Sequence, residues 1–207
     1  MRRLMASSAL IFALGLATMS GAAKADSVPH MRVDQEFNQC QRTPDLAWCK
    51  TTGPSGVVES IDTFRSIEKE VRHQFVEESA NYFKFEWTLD LVRLHKGGKI
   101  EGDCNTLTSA VLQLAAERGF ATDHMWSVLV NDRGRDDVIN HHIGVVEDKD
   151  GQFWVVGDTL RSEPYLLKEL ANHGAGYRVL AVSRVSDGPD RWRMTNADPS
   201  PMAAFGQ

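Results

Sequence analysis

Apolar residues in the middle of the chain recur every three or four positions, the spacing of one helical face, in three segments. The first covers residues 57–77, and its opposite face is charged, as expected of a solvated surface. The second covers residues 89–95, with Thr88 as its cap. The third begins at Cys104 and is ended by Gly119. We therefore predict three helices.

Beyond Gly119 the apolar residues alternate with polar ones, which is the period of a half-buried strand. The first predicted strand has His124, Trp126, Val128 and Val130 on one face. Further strands are predicted at residues 139–147, 152–157 and 177–185, with a hairpin turn at 148–151 and one short helix within an irregular segment at 160–173. Because helices come first and an antiparallel sheet follows, the predicted class is α+β.

The first 25 residues have the organisation of a secretory signal peptide. Arg2 and Arg3 precede an apolar run at residues 9–17, and Ala23-Lys24-Ala25 has the small-x-small pattern of a signal-peptidase site. This run is too short to span a membrane permanently. We therefore expect a periplasmic or secreted protein that has no stable membrane span after signal cleavage.

Cleavage after residue 25 makes an acidic chain more acidic. It removes Arg2, Arg3 and Lys24, so Lys and Arg fall from 23 to 20 against 28 Asp and Glu, and the formal charge moves from −5 to −8. Such a chain has no electrostatic attraction to nucleic acid or to an anionic membrane. We predict one domain at residues 26–194 and a disordered tail at 195–207.

Export also affects how the three cysteines are interpreted, because two of them can form a disulfide in an oxidising compartment. Cys40 and Cys49 are close in sequence, with Pro44 and Asp45 between them as turn residues, and we predict a disulfide between them. Cys104 is then the odd thiol of an exported protein. Catalysis is one reason to retain such a thiol.

Cys104 lies where a thiol is most easily activated. Asp103 is a natural N-cap, Gly102 lets the chain turn tightly, and Cys104 falls in the first turn of the predicted helix. The unpaired N–H groups and the dipole of that turn favour an anion, and the thiolate is the nucleophilic form of cysteine. The alternative is structural, since a single cysteine often acts only as a small hydrophobic residue.

The predicted hairpin supplies the partners that a cysteine nucleophile requires, a base and a group that orients it. His141 and His142 begin one strand, and Asp158 ends its antiparallel neighbour, so the two ends lie side by side. Adjacent strand residues face opposite sides, so only one histidine can face Cys104. The residues themselves leave both histidines open.

Several segments together resemble the bacterial transglutaminase-like cysteine peptidases, a branch of the papain/transglutaminase superfamily that includes periplasmic proteases acting on adhesins. The similar segments are the Cys-containing stretch 37–49, Trp87 followed by Gly97-Gly98, the turn Gly102-Asp103-Cys104, His142-Ile143-Gly144-Val145-Val146 and Trp154-Val155-Val156-Gly157-Asp158. The resemblance implies a papain/transglutaminase-like fold, with the nucleophile at a helix N-terminus packed on the C-terminal antiparallel sheet. It also implies an exported peptidase or amidase that acts on a protein or peptide through an acyl-enzyme thioester.

The resemblance implies a triad of Cys104, His142 and Asp158, and it favours His142 because that residue precedes an Ile-Gly-Val-Val run as in related hairpins. The chain departs from the family where Asn105 replaces an acidic residue and where Thr159 follows the aspartate. Some relatives bind calcium beside the cysteine, and Asn105 weakens such a site here. No other cofactor is expected.

Three further interpretations remain beside hydrolysis. The same triad would serve acyl transfer to an amine, as in a transglutaminase. A non-catalytic periplasmic binding module is a second interpretation, favoured by the missing acidic residue and disfavoured by the retained triad residue types. A metal site built from Cys104, His141, His142 and Asp158 ranks last, because adjacent strand histidines point apart and do not easily bind one ion.

Overall fold

The structure is a computed structural model of the 207-residue chain. It describes residues 58–78, 89–132, 141–172, 177–187, 193–194 and 205. The predicted signal peptide and the predicted Cys40–Cys49 disulfide lie outside these residues. Of the predicted tail, Phe205 is described, and it is buried with its ring 5.4 Å from Trp126 and 5.7 Å from Phe153.

In the described part of the chain, three α-helices precede the large sheet. They are α1 (Ile61–Gln74), α2 (Leu91–His95) and α3 (Cys104–Glu117). Helix α2 begins two residues later than predicted, because Asp90 rather than Thr88 is its cap and accepts a hydrogen bond from the N–H of Arg93 at 2.9 Å. Helix α1 ends before residue 77, since Phe75 is already extended.

Four short strands were not predicted, and two of them form a small sheet of their own. Phe75–Glu77 forms β1, which pairs in parallel with β2 (Ile100–Gly102). Residue 77 was predicted as helical because the apolar spacing continues to Phe75. The strand pairing with β2 is a contact between distant segments, and it overrides the local periodicity. Strand β2 leads directly into Asp103 and α3, so this small sheet positions the start of that helix.

The large sheet contains six strands in the order β6-β5-β4-β3-β7-β8, and every neighbouring pair is antiparallel. Its strands are β3 (Met125–Asp132), β4 (His141–Glu147), β5 (Phe153–Val156), β6 (Tyr165–Leu166), β7 (Tyr177–Arg184) and β8 (Arg193–Met194). Short 3-10 helices cover Thr122–His124, Leu167–Asn172 and Val185–Asp187. The predicted α+β class is confirmed.

The predicted end of α3 is also confirmed. Gly119 has φ of 81°, a left-handed conformation that favours glycine. Its N–H donates to the carbonyl of Ala116 at 3.0 Å, and the N–H of Phe120 donates to the carbonyl of Ala115 at 3.1 Å. This pair of bonds is the Schellman arrangement, which terminates a helix and turns the chain toward the next element.

The sheet has a hydrophobic cluster on each face. On one face α1 and α3 pack against β4 and β5, with residues such as Ile67, Leu107 and Leu112 fully buried. Trp126, Val128, Ile143 and other residues form the cluster on the opposite face. Among the helices in the described ranges, none has the length and apolar composition needed to cross a membrane.

Candidate active site

The nucleophile candidate lies at the first position of α3. Asp103 is extended and caps the helix, accepting a hydrogen bond from the N–H of Asn105 at 2.8 Å. Cys104 follows as a free cysteine and is 8% exposed. A Cβ atom on Gly102 would lie 2.0 Å from Oγ1 of Thr106, so glycine is required at this close turn. The helix start was predicted correctly from this local sequence.

His141 connects the cysteine to the aspartate. Its Nε2 lies 2.9 Å from Oδ1 of Asp158, and its ring stacks on Tyr177 with centroids 5.4 Å apart. Burial alone would lower the pKa of His141. The interactions of His141 with Asp158 and with Cys104 outweigh burial and raise the pKa to about 9. His141 is therefore a cation near neutral pH.

Asp158 is held as a carboxylate. Besides its contact with His141, Oδ1 accepts from the N–H of Leu160 at 2.9 Å, and Oδ2 accepts from the hydroxyl of Tyr165 at 2.7 Å. Burial raises the pKa of Asp158, but the hydrogen bond and charge of His141, with the bonds from Tyr165 and Leu160, lower it below its usual value. A charged Asp158 can orient and stabilise a protonated His141.

Tyr165 was not identified from the sequence. It lies on β6, beside the end of β5, and burial together with the charge of Asp158 raises the pKa of its hydroxyl far above the usual value. Tyr165 is therefore a hydrogen-bond donor at any relevant pH. No local sequence pattern marks Tyr165. A tyrosine seven residues after the aspartate can nevertheless reach the Asp158 carboxylate if a further strand follows the hairpin.

His142 occupies a different environment. It is fully buried, with Nε2 2.6 Å from Oγ of Ser127 and Nδ1 3.0 Å from Oδ1 of Asn105. Burial, followed by the positive charge of His141, lowers the pKa of His142 to about 3. A neutral ring with its proton on Nδ1 satisfies both contacts, because Oδ1 of Asn105 only accepts and the hydroxyl of Ser127 can then donate to Nε2.

This geometry therefore favours His141 as the base, whereas the family resemblance favoured His142. Nε2 of His141 lies 2.9 Å from Asp158 and the ring interacts with Cys104, whereas His142 contacts an amide and a hydroxyl. The physical reason lies at Gly157. Continuing the register from Gly144↔Val156 would place Asp158 opposite His142, but the φ of 68° at Gly157 turns the chain first. Asp158 consequently meets the neighbouring histidine.

Thr108 fastens α3 to both strand ends of the site. Its hydroxyl lies 3.1 Å from the carbonyl oxygen of His142 and 3.0 Å from that of Gly157. A Cβ atom on Gly157 would lie 2.8 Å from the Cα of Thr108, so glycine permits this close approach of strand and helix as well as the turn. The helix bearing Cys104 is thus fixed against the histidine strand and the aspartate turn.

The other histidines of the described residues are exposed or contact a carboxylate near the surface. His73 is exposed, and Nε2 of His95 lies 2.8 Å from a carboxylate oxygen of Glu117 at the surface. His124 was predicted on a strand, but it belongs to the 3-10 turn before β3 and its Nδ1 lies 2.7 Å from Glu147. His30 and His173 lie outside the described residues.

The surroundings of Cys104 do not fit a calcium ion. The two carboxylate oxygens of Asp103 accept from the N–H and the side-chain amide of Asn105, and Oδ1 of Asn105 contacts His142. Calcium requires about six to eight oxygen ligands, and these oxygens already serve the helix cap. Within the described ranges, no three His, Cys, Asp or Glu side chains are grouped as metal ligands.

No protein-family model matches the sequence, and no curated protein matches it. The resemblance to the transglutaminase-like peptidases consequently rests on the short motifs that carry it. Function is inferred from the arrangement of Cys104, His141 and Asp158, in which a helix N-terminus, a strand end and a glycine turn bring together a thiol, an imidazole and a carboxylate.

Proposed function

We propose that the protein is an exported thiol hydrolase that cleaves an amide bond in a protein or peptide. Cys104 is the nucleophile, His141 the general base and acid, and Asp158 the residue that orients His141. The observation that carries this proposal is the position of His141, whose Nε2 lies 2.9 Å from Oδ1 of Asp158 and whose pKa is also raised by its interaction with Cys104. This is the arrangement that an activated thiol requires.

The reaction follows from the charges of this site. The thiolate of Cys104 attacks the amide carbonyl, and its electron pair forms the C–S bond while the carbonyl π electrons move to oxygen. The dipole at the start of α3 favours both the thiolate and negative charge that develops beside it. Collapse of this intermediate breaks the C–N bond, and the proton of the His141 imidazolium goes to the departing amine.

The second half of the reaction releases the acyl group. Neutral His141 takes a proton from water, the resulting nucleophile attacks the thioester, and the Cys104 thiolate departs while His141 remains protonated. Asp158 stays ionised throughout and stabilises the imidazolium, and Tyr165 holds the second oxygen of Asp158 at 2.7 Å. The cycle needs no oxidant, reductant or metal-bound intermediate.

The architecture supports a papain/transglutaminase-like fold for this enzyme. A helix that begins at the nucleophile packs on an antiparallel sheet whose neighbouring strands end at the histidine and the aspartate. The signal-peptide pattern of residues 1–25 supports export to the periplasm or the exterior. Both points agree with the proposed peptidase.

The experiment that tests the proposal measures how fast Cys104 reacts with iodoacetamide across pH in the mature protein. Cys104→Ala is the control for any reaction at the other two cysteines. An activated thiol reacts well below the pH at which an ordinary thiol ionises, near 8.5. A Cys104 that reacts like free cysteine would contradict the proposal and favour a non-catalytic binding module.

The acyl acceptor is tested separately. The mature protein is incubated with a peptide mixture, with and without a primary amine, and the products are identified by mass. New N-termini without amine incorporation indicate hydrolysis, whereas amine incorporation at the cleaved acyl group indicates acyl transfer. Cys104→Ala should abolish either product. The proposal predicts hydrolysis as the main outcome.

A further inference from the structure

Helix α1 carries an ion pair beside the candidate site, in which the acid is buried and the base is partly buried. Glu68 is 1% exposed, and its Oε1 accepts from Nε of Arg72, one turn later, at 2.8 Å. Burial raises the pKa of the Glu68 carboxyl although the charge and hydrogen bond of Arg72 oppose this rise. A buried ion pair is generally a poor source of stability. Its presence on a helix that packs against the site therefore calls for another explanation.

Both members of this pair contact the backbone around Asp158. The N–H of Gly157 donates to Oε2 of Glu68 at 3.2 Å, and Nη2 of Arg72 donates to the carbonyl oxygen of Asp158 at 2.6 Å. These two backbone groups flank the Cα of Asp158 at the end of the left-handed turn. The ion pair thus holds the backbone on both sides of the residue that orients His141.

We propose that Glu68 and Arg72 are positioning residues, which fix the backbone of the Gly157–Asp158 turn so that the Asp158 carboxylate points at His141. This inference rests on the proposed function, in which His141 serves Cys104. The bonds from Leu160 and Tyr165 hold the carboxylate itself, and the α1 pair holds the main chain that carries it. Without the pair, the turn at Gly157 can rotate and carry the carboxylate away from the imidazole.

Several ionisable groups surround His141 and Asp158, and they determine how the proposal can be tested. They are Cys104 on α3, His142 on β4, Tyr165 on β6, Tyr177 on β7, and Glu68 and Arg72 on α1. Removing the Arg72 cation would by itself make a nearby histidine easier to protonate. A loss of Asp158 positioning has the opposite effect, so the direction of the change separates the two causes.

The test compares the mature protein with Arg72→Met and with the double variant Glu68→Gln/Arg72→Met. The double variant removes both charges and is the safer for folding, because a paired replacement leaves no lone buried charge. Arg118→Met is the matched control, since it removes the surface ion pair between Arg118, the residue after α3, and Glu70 of the same helix α1. Thermal unfolding confirms that each variant is folded.

The first measurement is an NMR titration of the His141 ring, assigned by its absence in His141→Gln. We expect the midpoint of His141 to fall by about one pH unit or more in both α1 variants and to stay unchanged in Arg118→Met. The second is the ratio of Cys104 alkylation by anionic iodoacetate to that by neutral iodoacetamide, which is high only while His141 is a cation. This preference should disappear at correspondingly lower pH in the α1 variants.

An unchanged His141 midpoint in the folded variants would overturn the proposal, and so would a rise. Loss of folding in both variants would also overturn it, because the pair would then serve the fold rather than Asp158. The titration does not depend on catalysis. If Cys104 proved unreactive in the wild type while the His141 midpoint still fell, the proposed function would fail and the positioning role would stand.

Discussion

His141 and His142 are neighbours in sequence and both are buried, yet their charges differ. His141 is 8% exposed with a pKa of about 9, and His142 is fully buried with a pKa of about 3. The difference lies in their partners. His141 faces a carboxylate and a thiol, whereas His142 faces the neutral side chains of Ser127 and Asn105. Burial therefore does not determine whether a histidine is charged, because a paired anion can outweigh desolvation.

The two histidines also serve opposite faces of the strand. His142 contacts Asn105 in the first turn of α3, and Asn105 in turn bonds to the cap residue Asp103. It therefore fixes the start of the helix that carries Cys104. His141 interacts with Cys104 and Asp158. In the proposed mechanism one strand end thus supplies both a structural histidine and a catalytic one.

The largest effect is expected from the histidine that contacts Cys104. His141→Ala should slow alkylation of Cys104 by iodoacetamide near neutral pH by about a hundredfold or more, because the imidazolium that stabilises the thiolate is lost. His142→Ala, compared as a folded protein at the same pH, should slow it far less. The reverse ranking would assign the base to His142, the residue that the family resemblance favours.

Asp158→Asn should reduce turnover of a Cys104-dependent substrate by about ten- to a thousandfold. The amide keeps the shape of the side chain but removes the charge that stabilises protonated His141. Its NH2 group can also present a hydrogen-bond donor to the ring where the carboxylate presented an acceptor. Turnover is compared with that of the wild type after thermal unfolding has shown that the variant is folded. A folded variant with full turnover would reduce the proposed triad to a dyad of Cys104 and His141.

The two histidines should give the free energy of unfolding opposite dependences on pH. The unfolded pKa of histidine is about 6.5. His141, whose folded pKa is raised, contributes stability that is complete below pH 6.5 and is lost as the pH rises toward about 9. His142, whose folded pKa is lowered, contributes stability that is present above pH 6.5 and is lost as the pH falls toward about 3.

Urea unfolding between about pH 4 and about pH 9.5 measures both dependences, each up to about 3 kcal/mol. His141→Gln should remove the decline on the alkaline side, and His142→Gln should remove the decline on the acid side. Because each variant should affect one side, each serves as the control for the other. If the free energy of unfolding varied with pH in the same way in the wild type and both variants, the proposed difference in charge between His141 and His142 would be contradicted.

The smallest effect is expected at the structural histidine's partner. Ser127→Ala removes the hydroxyl that lies 2.6 Å from Nε2 of His142 and leaves that nitrogen without it, which should cost about 1–3 kcal/mol of unfolding free energy. Ser66→Ala, at an exposed position of α1, is the matched control and should be close to neutral. Alkylation of Cys104 should change little. A large loss of alkylation with normal stability would place His142 in the chemistry.

The charged face of α1 shows where periodicity is insufficient. Its apolar positions were predicted correctly, and Phe64, Ile67 and Val71 are buried. The remaining charged residues were assigned to solvent, which holds for Asp62, Arg65 and Glu70 but is wrong for Glu68. A charge at position 68 has the same local sequence context as its exposed neighbours. Its burial depends on the Gly157 turn, which lies 89 residues away.

The sequence alone determined the elements whose causes are local. Cys104 at the start of a helix, the Gly119 helix end and strands β3, β4 and β5 follow from capping, backbone conformation and periodicity over a few residues. Tertiary structure decided the partners. Whether Asp158 meets His141 or His142 depends on the left-handed turn at Gly157 and on the approach of α3 through Thr108. A shift of one residue in strand register turns every side chain to the opposite face. Periodicity therefore predicted a histidine beside Cys104 but not which of the two it would be.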